Sequence, residues 1–131
     1  IDESYNASPV ATRAAIVALG QTQPGAGGRR IAVLGDMREL GATAPQLHAA
    51  LAAPLSDAKI DILFCCGHVI EGLFATVPPA MRGAYAPDSK ALAARVAPAL
   101  RDGDVVLVKG SKSVHMELVI EAIKQAAAAA A

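Results

Sequence analysis

Short, nearly unbroken apolar runs alternate along this chain with longer segments in which apolar positions return every three or four residues. The runs at 31–34, 60–66 and 105–108 are rich in Val, Ile and Leu and predict strands covered on both faces. Two weaker strand candidates lie at 1–5 and 83–86. The periodic segments predict helices, the first opening at Ser8 and Pro9, a capping residue before a proline in the first turn, and ending near Leu19 at Gly20. Others are predicted over 45–55, 69–75, 89–100 and 113–125. Residues 21–30, with Pro24, Gly25, Gly27 and Gly28, read as a surface connection. Strands alternating with helices predict an α/β fold: a Rossmann-like three-layer domain with a mostly parallel sheet and helices on both faces. No repeat or linker divides the chain, so one domain is expected over 1–125, followed by an alanine tail at 126–131.

In an open parallel sheet, ligands gather beyond the carboxyl ends of the strands. Four segments occupy such places and are expected on one edge: 4–9, 35–41, the pair Gly67 and His68, and 109–113. The last carries Lys109, Gly110, Ser111, Lys112 and Ser113, with glycine for close backbone approach, two cations and two hydroxyls before a helix. Such a set suits a carboxylate or phosphate, and it equally suits a solvated turn with a hydroxyl cap. Asp36, directly after a strand and Gly35, is placed to serve a metal, a ribose or a substrate amine, or to cap the turn that follows. Glu39 reads as solvated. Tyr5 and Asn6 suit stacking on a nucleobase and hydrogen bonding to it, and also suit an ordinary loop anchor.

The histidines carry less. His48, inside a helix, reads as a satisfied or half-exposed residue rather than a catalyst, and His115 as surface in the first turn of the last helix. His68 follows Cys65, Cys66 and Gly67, but no second Cys or His cluster stands at a metal-site spacing, which argues against zinc.

Composition narrows the classes. Twelve basic and twelve acidic residues cancel, and no basic run exceeds Arg29 and Arg30, so neither nucleic acid nor an anionic membrane is an expected partner. The adjacent cysteines read as reduced core residues of a cytoplasmic protein. No apolar stretch is of membrane-spanning length, and the first residues lack the pattern of a signal peptide. The string G-x-x-x-x-G-K-[ST] is absent, as is G-x-G-x-x-G, which disfavours autonomous nucleotide hydrolysis and dinucleotide binding. The chain opens on Ile1 rather than Met and closes on alanines, so an upstream segment is expected.

Four pieces, in order, resemble the C-terminal domain of the Mur ligases, in the branch that adds D-alanyl-D-alanine. They are Asp2-Glu3-Ser4-Tyr5-Asn6-Ala7-Ser8-Pro9, then 30–41 with Leu34-Gly35-Asp36-Met37-Arg38-Glu39-Leu40-Gly41, then Leu47-His48, then 108–113 with Met116-Glu117. The resemblance implies the third domain of an ATP-dependent ligase. Its other domains would bind UDP-N-acetylmuramoyl-tripeptide and, at a P-loop, ATP with magnesium. The tripeptide carboxylate would become an acyl phosphate, which the amine of D-Ala-D-Ala attacks. Carried over by position, Asp2, Tyr5 and Asn6 would lie by the ATP ribose and base. Asp36 and Met37, with Lys109, Gly110 and Ser111, would receive the dipeptide: Lys109, Ser111 and nearby backbone N–H groups at its carboxylate, Asp36 at its amine. The sequence departs from the pattern at Glu3, where an aspartate is usual, and at Ser8, where asparagine is usual. The resemblance further implies a role in peptidoglycan precursor synthesis and no turnover by this domain alone, while the neutral charge and the lack of an obvious apolar stripe give no reason to expect more than a monomer. Two competitors are a stand-alone flavodoxin-like or receiver-like binding module and a Mur ligase of another amino-acid specificity. Against a receiver domain, Cys65-Cys66-Gly67-His68 supplies no phosphoacceptor aspartate; against another specificity stands the Tyr-Asn-Ala segment.

Overall fold

A computed structural model describes residues 2–3, 8–38 and 40–130. Five strands form one sheet: β1 (Asp2–Glu3), β2 (Arg30–Gly35), β3 (Ile62–Cys66), β4 (Arg82–Ala86) and β5 (Val105–Lys109), in the spatial order β1-β5-β2-β3-β4. Every pairing is parallel. The sheet is therefore parallel throughout rather than mostly so.

Side chains alternate across the pleat, and that alternation builds the three layers. Ala32, Leu34, Leu63, Cys65 and Leu107 face one side, where they pack with Ile16 and Leu19 of helix α1 (Pro9–Gln21), Leu55 of α3 (Ala52–Asp57) and Leu73 of α4 (Glu71–Thr76). Ile31, Val33, Phe64, Cys66 and Val108 face the other, against Leu92 and Val96 of α5 (Ser89–Val96) and Val119 of α6 (Glu117–Ala130). Ile16, Leu19, Leu55, Leu73, Leu92 and Val96 are fully buried. Each such side chain contributes roughly 1.5–3 kcal/mol by leaving water. The neighbouring cysteines point to opposite faces and are both free, as the sequence suggests. Burial pushes the Cys65 thiol well above its ordinary value and that of Cys66 up to about 12.

Local departures from expectation have local causes. Helix α1 is capped by Ser8, whose hydroxyl accepts the N–H of Ala11 at 3.1 Å, but it runs past Gly20 to Gln21. Gly20 is not a stop signal: a Cβ there would lie 2.8 Å from the Ala58 Cβ, so the glycine permits the close approach of α1 to the end of α3. The helix expected over 45–55 divides into α2 (Ala44–Ala49) and α3, because Pro54 has no N–H to offer Ala50 and its ring would strike that carbonyl. Likewise α5 stops at Val96, where Pro98 turns the chain into a 3₁₀ turn over Ala97–Ala99. The last helix begins at Glu117, after a 3₁₀ turn over Lys112–Val114 and a left-handed His115 (φ 58°), so His115 precedes the helix rather than lying in its first turn. The helix then continues through the alanines to Ala130.

Strand order positions the site. From β2 the chain moves to β3 and β4 on one side; from β4 it returns across the sheet to place β5 on the other side of β2. The connection leaving β2 enters α2 and α3 on one face, whereas that leaving β5 enters α6 on the opposite face. The two exits pass to opposite faces beyond Gly35 and Gly110, at the topological switch point of the sheet, the place where ligands of such sheets gather.

Candidate functional site at the carboxyl edge

The segments after β2, β3 and β5 meet at this edge. Gly35 and Gly110 are the points of closest approach. A Cβ on Gly110 would lie 2.7 Å from Met116 Cγ and 3.3 Å from Gly35 Cα, and one on Gly35 would lie 2.8 Å from Met116 Sδ. Both positions need glycine for space.

Beyond Gly35, each successive amide is engaged by a different element. The N–H of Asp36 donates to Cys66 O at 3.2 Å, that of Met37 to His48 Nε2 at 2.8 Å, and that of Arg38 to Ser111 Oγ at 2.7 Å. The Ser111 N–H in turn donates to Asp36 O at 3.1 Å, so the loops after β2 and β5 are clasped in both directions. All four N–H groups, including those of Asp36, Met37 and Ser111 in the turns expected to receive a ligand carboxylate, already have acceptors inside the fold.

The carboxylate of Asp36 is turned toward the end of β3. It accepts the N–H groups of His68 (3.0 Å), Val69 (3.1 Å) and Ile70 (2.8 Å), and it occupies the space that a Cβ on Gly67 would need. Gly67 has φ +116°. Asp36 therefore caps a turn, as the simpler alternative allows, but it is the turn after the neighbouring strand rather than its own.

The structure brings the five expected dipeptide contacts together but does not expose them equally. Asp36, Met37 and Lys109 are 1%, 2% and 1% exposed, and Gly110 is buried. The Met37 side chain enters the core, where its sulfur accepts the Thr12 hydroxyl at 3.4 Å. Lys109 lies on β5 in register with Glu3 of β1 and Leu34 of β2. Ser111 is half-buried. Asp2 lies on β1 opposite Val108; Tyr5, Asn6 and Glu39 are outside the described residues.

Two accessible cations of the edge, Arg38 and Lys90, are not among the expected contacts. Arg38 and Lys90 are exposed and line a cleft of about 290 Å³ with His68, Ser113, His115 and Leu118. Asp88, at its rim, caps α5 by accepting the Ala91 N–H at 2.8 Å. Exposed His115 lies 3.0 Å from Glu117, whose carboxyl is held below its ordinary value chiefly by a hydrogen bond from its own backbone N–H. His68 also borders a second, apolar trough of about 690 Å³ between α2 and α4, lined by Ala42, Pro45, Val69, Gly72 and Ala75. Position x in the Asp-Met-x-Glu pattern was the available signal for Arg38; nothing in the spacing points to Lys90.

His48 is fully buried with both ring nitrogens engaged, the satisfied rather than the half-exposed of the two expected states. Its Nδ1 lies 2.6 Å from Ala44 O and must carry the proton, which leaves Nε2 free to accept from Met37.

A wholly parallel sheet with helices on both faces and a cation-lined cleft at its carboxyl edge defines a doubly wound α/β domain. Comparison narrows the class. Residues 1–112 match the family model described as "Mur ligase, glutamate ligase domain". The chain belongs to the Mur ligase family as its C-terminal domain. It is 32% identical over 130 residues to the UDP-N-acetylmuramoyl-tripeptide–D-alanyl-D-alanine ligase of Escherichia coli, covering 95% of this chain and 26% of that protein. With the ligase of the same name from Bacillus subtilis the identity is 32% over 125 residues, covering 92% and 27%. The crystal structure of the MurF ligase of Thermotoga maritima in complex with ADP superposes with a TM-score of 0.81 at 29% identity, over 100% of this chain and 29% of that one. The chain thus spans about a quarter of the length of the relatives it matches.

ATP and magnesium are implied by the resemblance, and the residues expected on the ATP side, Tyr5 and Asn6, lie outside the described residues. Among the described residues no group of three His, Cys, Asp or Glu could hold a metal, and the sequence lacks a phosphate loop. No helix among the described residues is long and apolar enough to cross a membrane.

Proposed function

We propose that this domain receives the incoming D-Ala-D-Ala of a cell-wall precursor ligase and holds its amine toward the activated carboxyl of UDP-N-acetylmuramoyl-tripeptide. The observation that carries this reading is the cleft at the carboxyl edge of the sheet, which two exposed cations, Arg38 and Lys90, line together with the ends of the loops after β2, β3 and β5. A cleft of about 290 Å³ stands at the small end of ligand sites, which run from roughly 300 Å³ upward, and it suits a dipeptide rather than a nucleotide-linked sugar peptide.

Burial redistributes the roles. An exposed guanidinium at Arg38, joined by Lys90, would hold the dipeptide carboxylate through charge-assisted hydrogen bonds. Ser111 would lie beside it. Asp36 and Lys109, whose side chains are inaccessible, would act from beneath: Asp36 by fixing the His68–Ile70 turn, Lys109 by setting local charge. Orientation is the main service such a site offers, since a held amine reacts as if at very high local concentration. The nucleotide chemistry would belong to another domain, with Asp2, Tyr5 and Asn6 at its border, so this domain alone would show no turnover. A cytoplasmic monomer binding neither nucleic acid nor membrane fits the balanced charge.

A ligase that contains this domain should release phosphate in the presence of UDP-N-acetylmuramoyl-tripeptide and D-Ala-D-Ala, and not with D-glutamate or a diamino acid as acceptor. Release with either of the latter, and not with the dipeptide, would assign a different Mur ligase specificity.

A further inference from the structure

We infer that His48 is a positioning residue for the acceptor site, acting through the Met37 amide, and that its Nε2 is the atom that matters. The inference rests on the dipeptide reading given above for its choice of substrate, but the geometry is independent of it. His48 is fully buried on α2, with Nδ1–H committed to Ala44 O at 2.6 Å, so the imidazole is locked to its own helix in one tautomer. Nε2 then presents a lone pair to the Met37 N–H at 2.8 Å. Of the three amides that fix the loop after β2, those of Asp36 and Arg38 are held by the sheet edge and by the loop after β5. Only Met37 is held from α2, and it stands between the buried cap Asp36 and the exposed cation Arg38. A rigid acceptor at that point fixes the backbone from which Arg38 reaches the cleft. Loss of a buried acceptor frees a buried N–H, and the cheapest remedy is for the loop to turn that N–H toward water, carrying Arg38 with it. A displacement of about 1 Å at a positioning group can cost on the order of a hundredfold in reactivity.

Two substitutions separate this role from plain core stability. In His48→Gln the side-chain oxygen falls near Nε2 and still accepts from Met37, while the bond to Ala44 is lost. In His48→Asn the amide nitrogen falls near Nδ1 and still donates to Ala44, while the bond to Met37 is lost. In the full-length ligase both should lower the melting temperature similarly. Only His48→Asn should raise the KM for D-Ala-D-Ala, by about tenfold or more, with the KM values for ATP and the tripeptide nucleotide unchanged. Hydrogen exchange of the Met37 and Arg38 amides should quicken in His48→Asn alone. Equal effects of the two variants on acceptor KM and on exchange would overturn the inference. If the wild-type enzyme uses another acceptor instead, the dipeptide reading fails, and the same pair tests His48 on that acceptor.

Discussion

The Asp36 carboxylate accepts the Ile70 N–H at 2.8 Å across the gap between two adjacent strand exits. With the N–H groups of His68 and Val69 on the same carboxylate, this ties the turn after β3 to the loop after β2. One buried side chain therefore sets the relative position of two walls of the cleft.

Asp36→Asn tests that link. An asparagine can offer one oxygen to these donors, but its amide N–H groups then face backbone N–H groups. The expected outcome is a loss of about 1.5–3 kcal/mol of stability, read by urea titration, the range for hydrogen bonds to a charged acceptor. A change within about 0.5 kcal/mol, the scale of an ordinary surface substitution, would show that the turn holds without the carboxylate.

Gly67 and Gly27 both occupy positive φ but differ in their surroundings. Their φ values are +116° and +74°, and a Cβ on Gly67 would collide with the Asp36 carboxylate, whereas one on Gly27 meets nothing within 4 Å. Gly27→Ala should cost about 1–2 kcal/mol from left-handed backbone strain alone. Gly67→Ala should cost more, because the carboxylate must also move, and it should raise the KM for the acceptor where Gly27→Ala does not. Equal stability losses in the two variants would refute the packing argument.

The pH dependence of stability should carry the mark of Asp104. This residue, with a side chain 2% exposed, bonds the Arg29 guanidinium at 2.8 and 3.1 Å and the N–H groups of Arg29 and Arg101. Burial alone would raise its carboxyl, but the hydrogen bond from Arg29 and the two amides outweigh burial and hold it below the ordinary value. A folded-state value that is depressed contributes stability above the unfolded value, near pH 4, and that stability is lost as pH falls through the folded value. Asp104→Asn should therefore cost about 3 kcal/mol at pH 7, with the gap from wild type narrowing below about pH 4 in thermal melts. A gap that stays constant down to pH 2 would mean that the charge is not the source.

The sheet was legible because strands covered on both faces must be apolar at nearly every position, as in Ile31-Ala32-Val33-Leu34, while turns and caps such as Ser8-Pro9 punctuate them. Pro54 and Pro98 were legible as helix breaks and were passed over, since apolar periodicity continues across both. The candidate site divides differently. That Asp36 and Lys109 stand near one another follows from both ending strands of a parallel sheet. That both are buried does not follow, because it depends on β5 entering between β1 and β2, and strand order leaves no trace in local spacing. The engagement of the Met37 and Arg38 amides was hidden for the same reason: their acceptors, His48 and Ser111, are 11 and 73 residues away along the chain.

The most direct test of the acceptor-binding account is the steady-state kinetics of the full-length ligase carrying Arg38→Ala, with each substrate varied in turn. Loss of a charge-assisted contact to the dipeptide carboxylate should raise the KM for D-Ala-D-Ala roughly tenfold to a hundredfold, the kinetic equivalent of about 1.5–3 kcal/mol, with the KM values for ATP and UDP-N-acetylmuramoyl-tripeptide unaltered. An unchanged KM for the dipeptide, or a rise confined to ATP, would contradict the assignment of this cleft to the acceptor.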